Sequence, residues 1–139
     1  MKPLPETVAL LKSCAQNVAS QSYSPYSKFK VGAAVIGEEG EIFTGCNVEN
    51  ASYGLTQCAE RNAISAAIAG GLRAGTLMFL VVYTPGEHVC PPCGACRQVM
   101  HEMMAEDSQV ISCCDGDMYK TWTRKEYLPD PFVPEISED

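Results

Sequence analysis

Cys58-Ala59-Glu60-Arg61 is answered downstream by Pro92-Cys93-Gly94-Ala95-Cys96-Arg97, and the two stretches together read as a zinc site that carries its own acid and base. Zinc in proteins takes thiolate or imidazole donors. Where it does chemistry it keeps one of four positions open, so it asks for three protein ligands. Cys58, Cys93 and Cys96 supply them. Glu60 follows the first ligand closely enough to trade protons at the open position without binding metal itself. Cys93 and Cys96 share one face of a helical turn, and Cys58 opens another helix, where unpaired backbone donors and the helix dipole favour a thiolate. Three thiolates around a divalent cation leave one excess negative charge. Arg61 and Arg97 are the cations that could offset it by donating hydrogen bonds to sulfur, and ordinary surface ion pairs are the alternative for both.

Away from these stretches the chain alternates helix and strand. Apolar Val8, Leu11, Ala15, Val18 and Ala19 recur at helical steps and predict a helix over 6–23, with Cys14 on its buried side; Ser24-Pro25-Tyr26-Ser27 then turns the chain. Strands are predicted over 29–36 and 41–48, joined by Gly37-Glu38-Glu39-Gly40. The second runs into Asn47-Val48-Glu49-Asn50, a polar group that either reads hydroxyls or forms a turn. A helix over 58–69 ends at Gly70-Gly71. Thr76 to Tyr83 is a nearly unbroken apolar run, as expected of a strand covered on both faces at the centre of a sheet. A second amphipathic helix is predicted over 93–106, with Val99, Met100, Met103 and Met104 inward. Strands follow over 109–113 and 118–123, a helical turn over 125–128, and a mobile tail at about 133–139.

Composition bounds the class. With 139 residues, 46% hydrophobic and 19% charged, the chain is expected to be a single globular domain over 1–139. No apolar stretch has the length of a signal peptide or a membrane span, which predicts a cytoplasmic protein with no membrane partner. In a reducing compartment the eight cysteines serve as metal ligands or small core residues, as expected for Cys46, Cys113 and Cys114. A net charge of −7 argues against a nucleic-acid partner and leaves a small neutral substrate unaffected.

The motifs already quoted, preceded by Ser24-Pro25-Tyr26-Ser27-Lys28-Phe29-Lys30-Val31-Gly32-Ala33-Ala34, resemble the small zinc-dependent cytidine deaminases over about 23–132. The resemblance implies a three-layer α/β/α sandwich on a five-stranded mixed sheet and a homotetramer whose sites are completed by neighbouring subunits. It also implies one Zn2+ per subunit and hydrolysis of cytidine and 2′-deoxycytidine to uridine and 2′-deoxyuridine with release of ammonia, a step of pyrimidine salvage. Position by position it makes Cys58, Cys93 and Cys96 the metal ligands and Glu60 the catalytic proton shuttle, the arrangement found in zinc nucleobase deaminases. Arg61 matches the arginine that bonds the thiolates. Asn47 and Glu49 match contacts to the ribose, and Ala59 lies beside the substrate. Phe29 matches the aromatic packed on the pyrimidine, although a Phe at the start of a strand is by default a core residue. Tyr53 and Phe132 match positions that close sites across subunit boundaries.

Two features depart from that pattern. Pro91 stands where relatives commonly carry Ser or Thr, and Cys90 with nearby His88 allows another ligand set, including a closed site of four thiolates from Cys58, Cys90, Cys93 and Cys96. Such a structural zinc or thiol redox module is the non-enzymatic alternative. The enzymatic one is a related deaminase of another aminopyrimidine nucleoside, such as a nucleoside antibiotic.

Overall fold

Side chains that alternate along the central strands divide the interior into two cores. Residues 2–134, described by a computed structural model, run in the order α1 (Pro5–Ala19), β1 (Gly32–Ile36), β2 (Ile42–Cys46), α2 (Ala59–Ala69), β3 (Leu77–Tyr83), α3 (Gly94–Met103), β4 (Met104–Cys113), β5 (Tyr119–Thr123) and α4 (Arg124–Tyr127). The strands make one five-stranded sheet, β2-β1-β3-β4-β5. It is mixed: β1 lies antiparallel to β2 and β3, β3 runs parallel to β4, and β5 returns antiparallel. On one face Ala33, Val35, Leu80, Val82 and Val110 pack against Ala63, Ala67, Met100 and Tyr127 of the helices α2, α3 and α4. On the other, Ala34, Phe79, Val81 and Ile111 meet Leu11 and Ala15 of α1. The result is the three-layer α/β/α sandwich, with the apolar run 77–83 at its centre, where covering on both faces explains its unbroken hydrophobicity.

Two glycines set how closely the helices approach. A Cβ on Gly32 would fall 1.9 Å from the carbonyl oxygen of Ala15, and one on Gly45 would fall 2.3 Å from the backbone nitrogen of Ala63. Thus α1 lies directly on β1 and α2 directly on β2. The Asn62 side chain locks the second contact by donating to the Cys46 carbonyl at 2.8 Å.

Several boundaries differ from expectation, each for a long-range reason. The first helix stops at Ala19 and not Tyr23, because the amides of Gln21 and Ser22 turn back to Val18 and Ala19, and Tyr23 exchanges backbone bonds with Asn47 and Glu49. The first strand starts at Gly32 and not Phe29, since Lys28 has φ 62° and Val31 is paired with Asn47. The second strand ends at Cys46, and Val48 survives as an isolated bridge to Tyr23 and Gln57. The third helix ends at Met103, three residues early. The Gly75 amide takes the Met103 carbonyl, and Arg124 donates to His101 and Met104, so Met104 enters an extended β4 that begins well before Gln109. The last helical turn is α4, opened by a capping box between Thr123 and Glu126. From residue 135 the expected mobile tail lies outside the described residues.

Candidate metal and substrate site

Cys58 is the N-cap of α2, Cys93 is the N-cap of α3, and Cys96 lies in the first turn of α3. Both caps have extended backbone, so the next residues enter the helix while the cap sulfurs stay at its positive end. The packing of α2 on Gly45 and of α3 beside it brings these ends together. The three sulfurs lie within 4.8 Å of one another, with Cys58 and Cys93 3.9 Å apart. Tetrahedral zinc with sulfur ligands at about 2.3 Å places its donors about 3.8 Å apart, so the cluster fits the ion. Taken as thiols alone, the group is electrostatically frustrated. Cys58 is drawn down to about 5, first by its bond with Cys96 and then, against the cost of burial, by Arg61. Cys96 is driven up, first by the same bond and then by burial. The pair accepts one charge and resists a second, a conflict that a coordinated divalent cation removes by deprotonating its thiols outright.

Arg61 donates from Nη2 to the Cys58 sulfur at 3.3 Å and to the Thr56 carbonyl at 3.4 Å. Its guanidinium is therefore the cation at the sulfurs. Arg97 is not: it donates to the carbonyls of Pro92 at 2.8 Å and Tyr127 at 3.1 Å, tying the loop before α3 to α4. Cys90 lies beside the group without joining it, so the set of four thiolates does not form.

A cavity of about 200 Å³ opens on the sulfurs and is lined by Phe29, Asn47, Cys58, Ala59, Glu60 and Cys93, with Val31, Thr56, Val82, Thr84, Cys90 and Pro91 completing the wall. Glu60 is only 6% exposed, and burial, with the Cys58 charge, pushes its carboxyl above the usual range. Phe29, at 39% exposure, lines this cavity and so is not the core residue its position suggested. Glu49 stands in an adjoining hollow of about 410 Å³ with Tyr26, Ser27 and Tyr53, and Thr56 borders both. Phe132 is elsewhere: it lines a separate hollow with His101 and Arg124, and its carbonyl accepts from Gln98 at 2.9 Å. Larger hollows of about 500 and 580 Å³ flank α1, but among the described residues the metal-ligating side chains converge only here. The sequence reading missed Thr56 and Thr84, whose inward placement depends on long-range packing; no local signal marks them.

An α/β/α sandwich with three convergent sulfurs and a buried carboxylate beside them defines the class of zinc-binding deaminase folds. Residues 5–113 match the family model described as the cytidine and deoxycytidylate deaminase zinc-binding region. The chain belongs to that family. It is 43% identical over 119 residues to a cytidine deaminase of Halalkalibacterium halodurans, covering 85% of this chain and 88% of the relative. It is 46% identical over 122 residues to a probable cytidine deaminase of Dictyostelium discoideum, covering 87% and 80%. Among solved structures, the cytidine deaminase of Burkholderia pseudomallei superposes with a TM-score of 0.85 at 41% identity, covering 89% of this chain and 98% of that one. That of Mycobacterium tuberculosis gives 0.77 at 35%, covering 95% and 100%.

Proposed function

We propose that the protein hydrolyses cytidine and 2′-deoxycytidine to uridine and 2′-deoxyuridine, releasing ammonia. The observation that carries this reading is the meeting of three sulfurs, of which Cys58 and Cys93 line one cavity together with the buried Glu60 and the aromatic Phe29. Cys58, Cys93 and Cys96 would hold zinc, which supplies a water acidified to a pKa of about 7 and hence a nucleophile at neutral pH. The rest falls to the chain. Phe29 and Ala59 bound the slot for the pyrimidine, and Asn47 and Glu49 read the sugar. Glu60 takes a proton from the nucleophilic water and delivers it to the ring nitrogen beside the amino-bearing carbon, which makes that carbon electrophilic. The oxygen adds there as a hydroxyl; Glu60 takes that hydroxyl's remaining proton and passes it to the amino group, and the carbon–nitrogen bond breaks as the carbonyl forms, so that ammonia leaves. Positioned transfers of this kind are worth about 10² to 10⁴ in rate.

Purified protein is expected to consume cytidine, followed by its ultraviolet absorbance, and to lose that activity with a chelator until zinc is restored. An inert cytidine alongside turnover of another aminopyrimidine nucleoside would overturn the reading of Asn47 and Glu49 while leaving the metal chemistry. Arg61→Ala is expected to lower kcat by about 10- to 100-fold, the usual cost of removing a partner of a metal ligand, while the urea midpoint shifts far less. Unchanged turnover would remove Arg61 from the site.

Tyr53 and Phe132 are 75% and 62% exposed, and Phe132 is away from this chain's own cavity, which supports the homotetramer in which neighbouring subunits complete each site. Among the described residues no helix is long and apolar enough to cross a membrane, in keeping with a cytoplasmic, single-domain enzyme of pyrimidine salvage.

A further inference from the structure

Phe29 borders the cavity that holds Glu60, yet it lies between α1 and β1 with neither helix nor sheet ladder to hold it. Lys28, just before it, has φ 62°, the left-handed region, which is unfavourable for a residue with a Cβ and persists only where its surroundings over-determine it. The surroundings are hydrogen bonds. Lys28 donates its amide to the Ser24 carbonyl at 3.0 Å. The Ser27 hydroxyl accepts from the Phe29 amide at 3.0 Å and donates to Oε2 of Glu49, while Oε1 of Glu49 accepts from the amides of Tyr26 at 3.0 Å and Ser27 at 3.2 Å. Asn47 finishes the frame by donating from Nδ2 to the Phe29 carbonyl at 2.8 Å.

A carboxylate offers about four acceptor sites. The loop occupies three of those on Glu49, which leaves room for one further donor, such as a sugar hydroxyl. We infer that Ser27 is a positioning residue for nucleoside binding, its hydroxyl coupling the sugar-reading carboxylate of Glu49 to the backbone of Phe29 so that the sugar and base ends of the pocket are set as one unit. The inference rests on the deaminase reading above. The Ser27 hydroxyl is also the foremost reason that Glu49 is held below the usual carboxylate range.

The test uses the zinc-loaded enzyme with Ser27→Ala, Ser27→Thr, Glu49→Gln and the Ser27→Ala/Glu49→Gln double variant, each assayed on cytidine and on 2′,3′-dideoxycytidine, whose sugar lacks the secondary hydroxyls. Ser27 is exposed, so the alanine variant loses no packing. Ser27→Ala is expected to raise KM for cytidine about tenfold, the worth of one hydrogen bond to a charged group, with kcat within about twofold. Ser27→Thr restores most of the loss, the effect shrinks on the dideoxy substrate, and the double variant costs less than the sum of the singles. Unchanged KM, a fall in kcat alone, or full additivity with Glu49→Gln in an enzyme that turns over cytidine would overturn the role of Ser27 only. Wild-type protein inert toward cytidine would overturn the activity reading and this inference with it.

Discussion

Glu60→Gln keeps the protein folded and its zinc bound, and it loses deamination by at least 10² to 10⁴ in kcat, the range for removing a positioned proton carrier. The substitution is nearly isosteric, and an amide neither takes a proton from water nor gives one to a ring nitrogen. Because Glu60 is 6% exposed at the start of α2, the change replaces a buried ionisable group by a buried neutral one. The urea midpoint should therefore hold or rise. The three sulfurs are untouched, so metal analysis should give an unchanged zinc content. This separates enzyme from structural module, since a zinc that only staples the fold has no use for a carboxylate there. Turnover retained in this variant would remove Glu60 from the chemistry.

Gly45→Ala should damage both the fold and the turnover from a position outside the cavity. The added carbon would meet the Ala63 nitrogen at 2.3 Å, the Asn62 carbonyl carbon at 2.7 Å and the Ala59 oxygen at 2.9 Å, all backbone atoms of α2. No side chain can rotate away, so the whole helix must lift from β2. Overpacking a core costs about 1–3 kcal/mol where side chains can adjust, and a rigid helix backbone puts this case at about 3 kcal/mol or beyond. The same displacement carries Cys58 and Glu60 with it. A shift of about 1 Å in reacting groups can cost about 100-fold in rate, so kcat should fall even in the fraction that remains folded. Urea denaturation together with single-turnover rates would check both. A variant with the wild-type midpoint and rate would mean that α2 does not sit on Gly45 in solution.

How much of this was legible in the sequence follows the range of the forces involved. Cys93 and Cys96 were readable as a close pair of sulfurs because one helical turn fixes their separation, and Cys58 with Glu60 as neighbours because a helix start fixes theirs. The central strand announced itself by burial on both faces. Boundaries set by distant partners were not readable. Nothing local says that Tyr23 pairs with Asn47 and Glu49, or that Arg124 pulls Met104 out of a helix that its neighbours Met103, Ala105 and Glu106 would gladly extend. Arg97 looked like a twin of Arg61 by position, yet its guanidinium turns toward Pro92 and Tyr127 because α4 packs there. Phe132 illustrates the same limit, since its exposure and distance from the cavity come from the path of the chain after α4.

The strand order also dictates a timetable during synthesis. The segment bearing Cys58 leaves the ribosome before the middle strand, whereas Cys93 and Cys96 emerge between that strand and its parallel neighbour. A nascent chain therefore offers a passing ion one sulfur for a long interval, then all three in quick succession. Firm capture waits until Cys96 has emerged, by which time the hairpin and its central partner are already available to form the platform on which the grip closes.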